Sequence, residues 1–307
     1  MNWKHIGTTT SLALVVTLAA CGSDDNGDGN TGSVEDEADM LSQEEIAENL
    51  TAITGIEPGA GIMTATEDAI EHYNLDLELD VSSSAVMTQQ LANHIENHDP
   101  IVVTGWSPHW KFESFDLKYL DDPDNIYGDA ENIHTIARLG LEEDMPEAHQ
   151  ILTNFFWTPE DMETVMLEIE EGASPEEAAR NWVDDNQDTV SEWTNGVEEV
   201  DGQSITLSLV NWDSEIASTN VVATVLTDMG FEPNLMDMEA PYMWQSLATG
   251  DSDASVAAWL PLTHGHFIED YEGDLEDLGA NLEGTKIGLV VPEYMDIDSI
   301  TDLPTNE

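Results

Sequence analysis

The chain has 307 residues, enough for two lobes that share one cleft. It carries 65 acidic residues against 6 Lys and Arg, a formal net charge of −59, which leaves no basic patch to neutralise nucleic-acid phosphates. The acids are spread over segments that keep apolar stripes, so they read as the surface of a folded protein. Charge of this size repels itself at low ionic strength. The simplest setting for it is high salt, where the Debye length falls to about 3 Å at 1 M.

At the start, Lys4 and His5 precede the apolar run Leu12 to Leu18, and Leu18-Ala19-Ala20-Cys21-Gly22-Ser23 follows. A short apolar stretch ending in small residues predicts a signal peptide over residues 1–20 rather than a transmembrane helix. Cys21 is the single cysteine, so no internal disulfide, cysteine nucleophile or cysteine metal cluster is expected. Its place resembles the bacterial lipobox, in which the cysteine is lipidated after export and anchors the protein to the membrane. The plainer reading is an ordinary signal peptide with an incidental cysteine. Residues 21–45 are rich in Gly, Asp, Asn, Ser and Glu and are expected to be a flexible acidic linker.

Beyond the linker one unit is written twice. In the first copy the run 51–56 predicts a strand, and Ile62, Met63, Thr66, Ala69, Ile70 and Tyr73 fall at helical spacing. A strand near 75–81 and a helix carrying Val86, Met87, Leu91 and Ile95 come next. Asp99-Pro100 stops that helix, and the strand 101–104 leads into Gly105-Trp106-Ser107-Pro108-His109-Trp110. In the second copy a strand over 205–210 precedes a helix through Leu226 that Gly230 ends. A strand at 231–236 and a helix from Pro241 to Gly250 follow. The strand 254–258 then leads into Trp259-Leu260-Pro261-Leu262-Thr263-His264. The segments 137–141 and 286–290 also correspond. Between the copies, Thr158-Pro159-Glu160-Asp161 and Ser174-Pro175-Glu176-Glu177 are helix starts, and Trp157, Trp182 and Trp193 read as packing residues of a helical scaffold. The expected organisation is a first α/β lobe over 46–143, a helical segment over 144–202 and a second α/β lobe over 203–307, with a return strand near 286–291 able to complete the other lobe.

Strands alternating with helices imply mostly parallel sheets flanked by helices. Ligands of such sheets bind beyond the carboxyl ends of the strands. Trp106, Trp212 and Trp259 all stand there. A quaternary ammonium has no N–H to donate, so aromatic faces are its natural partners; each is worth about 0.5–2 kcal/mol. A carboxylate at the other end of such a ligand needs donors. The turn Gly59-Ala60-Gly61-Ile62 at a helix start offers free amides, or is simply a tight connection. His264 is a second candidate donor, or a surface histidine. Asp121-Asp122-Pro123-Asp124-Asn125 lacks the spacing of a calcium loop. No nucleotide-binding fingerprint or serine elbow is present, and no cofactor is expected.

Four stretches together resemble the glycine betaine-binding proteins of bacterial compatible-solute ABC importers, particularly the lipoprotein type of Gram-positive bacteria. They are residues 55–63, 102–110, 212–220 and 258–264, and the resemblance spans 51–304. It implies a hinged, two-lobe periplasmic-binding-protein-like fold of type II, with the ligand between the lobes. It further implies a trimethylammonium cage of Trp106, Trp212 and Trp259, a carboxylate held by the amides of Gly61 and Ile62 and by His264, and permease and ATPase subunits as partners. The departure from the family is the acidic surface. Two other readings are carried with it: a sensory binding protein, which neighbouring permease and ATPase genes would exclude, and an extracytoplasmic enzyme on choline-like or betaine-like compounds, for which the cleft offers no nucleophile or metal set.

Overall fold

The computed structural model describes residues 40–306; the expected signal peptide, Cys21 and most of the linker lie outside them. The chain opens with α1 (Gln43–Asn49), whose Ser42 and Glu45 form a reciprocal capping box. Then come β1 (Ala52–Thr54), α2 (Gly61–His72), β2 (Glu78–Asp80), α3 (Ser84–Asn97) and β3 (Val102–Ser107). α3 ends at His98 in a left-handed conformation, just ahead of Asp99-Pro100. A short α4 (Lys111–Ser114) and β4 (Leu117–Tyr119) lead to β5 (Glu131–Arg138).

The helical scaffold follows: α5 (Leu141–Asp144), α6 (Pro146–Asn154), α7 (Pro159–Glu170), α8 (Pro175–Asp185) and α9 (Gln187–Trp193). Thr158 and Ser174 cap α7 and α8, each with proline in the first turn. Trp182 stacks on Trp193 and meets Trp157 edge-on, and all three are buried. The chain closes with β6 (Gln203–Leu209), α10 (Asp213–Asp228), β7 (Phe231–Asp237), α11 (Ala240–Thr249), β8 (Ala254–Leu260), α12 (Gly265–Asp270) and β9 (Leu275–Pro292). Gly230, after α10, has φ 90° and a side chain there would meet the Val200 carbonyl.

The strands form one sheet in the order β2-β1-β3-β9-β5-β8-β6-β7, with β4 also on β9. Each end of it is a parallel trio, β2-β1-β3 and β7-β6-β8. β5 and β9 join the trios and run antiparallel to their neighbours, because they carry the chain across from one half to the other. Residues 275–285 of β9 pair with β5, and residues 286–292 pair with β3 and β4. The segments 137–141 and 286–290 therefore sit at different places: the first ends β5 in the second half, and the second returns to the first half. The duplication extends to backbone geometry, since Ser107–Pro108 and Leu260–Pro261 are both cis. No helix among the described residues is long and apolar enough to cross a membrane.

Candidate functional site

The two trios end on one cavity. Trp106 is the penultimate residue of β3, and Trp259 that of the fully buried β8. Trp212 is the N-cap residue of α10, directly after β6. The turn that holds it is fixed by Glu215, which is fully buried and accepts the Val210 N–H at 2.5 Å. Burial raises the pKa of that carboxyl well above its usual range, partly offset by the Val210 N–H. The three indoles line the cavity together with Ile56, Ala60, Gly61, Ile62, Ser214, Thr263, His264 and Ile287. All six residues singled out from the sequence thus meet in one place.

Gly61 and Ile62 are the first two residues of α2, whose N-cap Ala60 offers no side-chain acceptor. Amides in a first helical turn have no intrahelical partner, and the helix dipole favours an anion there. Gly61 must stay bare: a Cβ on it would stand 2.1 Å from the Thr263 carbonyl, across the cleft.

His264 lines the same cavity. It is fully buried, and its Nδ1 accepts the Trp259 N–H at 3.1 Å. An accepting Nδ1 carries no proton, so the proton of the neutral ring sits on Nε2. Burial, with the nearby His266 adding to it, pushes the pKa down to about 3 and keeps the ring neutral. Nε2 has no hydrogen-bond partner among the described residues. The ring is held by Trp212, stacked at 6.1 Å, and by Trp244 and Phe267 at 5.9 Å. Trp244, in the middle of α11, is fully buried. Such a site offers aromatic faces without hydrogen-bonding demands on one part of a ligand and N–H donors without formal charge to another.

Sequence reasoning passed over three groups. Ser214 and Thr263 line the cavity one residue away from Asp213 and His264. Glu131, 3% exposed, accepts the amides of Leu262 and Thr263 at 3.0 Å each and the Thr263 hydroxyl. Lys111 is fully buried with its Nζ 4.4 Å from the Trp106 ring. Nothing in the order of residues ties Glu131 to a loop 131 positions further on.

A family described as the substrate binding domain of ABC-type glycine betaine transport system (OpuAC) matches residues 34–185 and 203–307. The chain belongs to this family. It is 52% identical over 310 residues to the glycine betaine/carnitine transport binding protein GbuC of Listeria monocytogenes, covering 99% of each chain. Among solved structures it is similar to lactococcal OpuAC in its closed, glycine betaine-bound conformation, at 50% identity and TM-score 0.46, over 48% of this chain and 61% of that one. It is also similar to the glycine/betaine/L-proline-binding protein ProX of Borrelia burgdorferi, at 35% identity and TM-score 0.45, over 50% and 58%. These relatives are transport binding proteins, and a family member serving an ABC importer works outside the cytoplasm.

Proposed function

We propose that this chain captures glycine betaine for an ABC importer. Trp106, Trp212 and Trp259 enclose the trimethylammonium group, and the amides of Gly61 and Ile62 with Nε2–H of His264 take the carboxylate. The observation that carries this reading is the pairing, in one cavity, of three indoles with a buried neutral histidine whose Nε2–H has no hydrogen-bond partner among the described residues. A cation needs ring faces, and a carboxylate needs donors that cost no charge burial.

The lobes that close on the ligand are 46 to about 128 with 286–306 on one side, and about 129–285 on the other, as the strand pairing suggests. Each lobe holds part of the site, so the ligand favours the closed arrangement because closure alone makes both sets of contacts. A permease and an ATPase are its partners. No bond is made or broken, which separates this reading from an enzyme on the same compounds. Export with residues 1–20 as signal peptide, lipidation of Cys21, a tether that gives way to the folded body at Leu41 rather than at residue 45 and a high-salt working medium complete the proposal.

The test is calorimetric titration of the chain after Cys21 with glycine betaine in molar salt. Carnitine, choline and proline serve as comparators, carnitine because the Listeria relative is named for it and it shares both charged groups. One-site betaine binding that weakens at least about tenfold in Trp259→Ala is expected. A folded Trp259→Ala protein with unchanged affinity removes that ring from the site. Parent protein that is folded and gives no heat with any of the four removes the function.

A further inference from the structure

Beside the cage, a second set of contacts crosses between the halves. Asp213 opens α10 in the second half. Its carboxylate accepts from Ser84 Oγ at 2.9 Å and from the Trp110 indole N–H at 3.2 Å, and His109 Nε2 stands 3.5 Å away. All three belong to the first half. Burial opposes the charge of Asp213, yet the donors His109, Ser84 and Trp110 outweigh it and hold the carboxyl well below its usual range. The backbone N–H of Ser84 donates to Glu57 Oε1 at 3.3 Å, and the other oxygen of Glu57 accepts the Trp212 indole N–H at 2.9 Å. Glu57, Ser84, Asp213 and Trp212 thus form a closed circuit, two members from each half, with the last two adjacent in sequence. Of the four, Trp212 alone lines the indole cavity.

We propose that Glu57, Ser84 and Asp213 are positioning residues: an interlobe latch that makes cleft closure and the seating of the Trp212 indole one event. Hydrogen bonds to a carboxylate are about twice as strong as neutral ones. In the open form these groups return to water, so the latch gains little by itself and tips an equilibrium that the ligand also biases. Its carboxylate on the Trp212 N–H also sets negative charge at the edge of a ring that a cation would face. The latch rests on the binding function proposed above, but it is tested through closure as well as through affinity.

The experiment compares Ser84→Ala, Asp213→Asn, Asp213→Ala, Glu57→Gln, Glu57→Ala and the Ser84→Ala/Asp213→Ala double variant with the parent. Three quantities are measured: the glycine betaine dissociation rate, the interlobe distance distribution from a spin-label pair with and without ligand, and the ligand-free thermal midpoint. Each alanine variant is expected to release betaine about tenfold faster and to shift the distances toward the open form, with a midpoint near the parent's. Glu57→Gln and Asp213→Asn keep an acceptor and are expected to lie between. The double variant is expected to fall short of the sum of its singles, because both break the same bond. Unchanged release and unchanged distances in Ser84→Ala and Glu57→Ala overturn the latch, as does a lowered midpoint with parental release, which marks a merely structural role. Should the parent bind no betaine, the function falls by itself, and the ligand-free distances still decide the latch.

Discussion

Lys111 is a positive charge placed where none is comfortable. It is fully buried against Trp106, with the Trp106 carbonyl at 3.5 Å as its hydrogen-bond acceptor. Burial pulls its pKa from 10.5 down to about 7, and Asp213 pulls it partly back. The unfolded chain keeps that proton up to pH 10.5 and the folded chain releases it near pH 7. Between those values the unfolded state binds more protons, so folding stability gains as pH rises through the window, and below pH 7 the full penalty applies. Lys111→Met has similar volume and removes the linkage. Urea unfolding in molar salt should give a parent whose stability climbs from pH 7 to pH 10.5 relative to the variant; parallel pH profiles would show that Lys111 is not desolvated. The contrast with the tryptophans explains what was legible here. Trp106, Trp212 and Trp259 stand out because aromatic residues are scarce and each stands at or just past the carboxyl end of a strand. Asp213, Glu57 and Glu131 do not, because in a chain with 65 acidic residues no single carboxylate draws notice until its partners are seen.

At the level of elements, the segment between β8 and α12 shows how a loop becomes rigid enough to hold a site residue. The His264 N–H donates to the Trp259 carbonyl at 2.8 Å, its ring accepts the Trp259 N–H, and Glu131 at the head of β5 accepts the next two amides back. Glu131→Ala leaves those amides without their carboxylate and frees Thr263 and His264 to drift. Betaine affinity is expected to fall about tenfold, with Glu131→Gln retaining most of it. Calorimetry on both variants checks this, and equal affinity in Glu131→Ala would separate the loop from the site. Most strands and helices were readable from periodicity and from caps such as Thr158 and Ser174. β9 was readable over 286–291 but not over its first part. There Gly279 and Gly284 interrupt the run, and Glu276, Asp277 and Glu283 break its apolar pattern. That stretch is half-exposed because it bridges the two halves, so it never shows the continuous burial that marks a strand in sequence.

At the scale of the whole molecule, the acidic surface has few internal counterions among the described residues. Lys118 pairs with Asp298, Arg138 with Asp144 and Asp253, and Arg180 with Asp184 and Asp228, while Lys286 lies 4.4 Å over the Tyr119 ring and Lys111 is buried. Three paired cations cannot neutralise a net charge of −59, so the repulsion left over must be screened from outside. The thermal midpoint is expected to climb by several degrees from roughly 0.1 M to about 2 M NaCl. A midpoint indifferent to salt over that range would mean that the acids do not act as a repulsive shell.

Both ends of the described chain are fastened to the same half. Leu41 bridges Met295 beside the returning end of β9, and Asn306 is hydrogen-bonded to Asn74 and Leu75, with Thr305 bridged to Leu75. In the closure proposed above, a pull on the chain at Met40 would be taken up by this half first. The half built from β5 to β8 is joined to it through the connection ahead of β5 and through β9, so in that closure it would be the part free to swing.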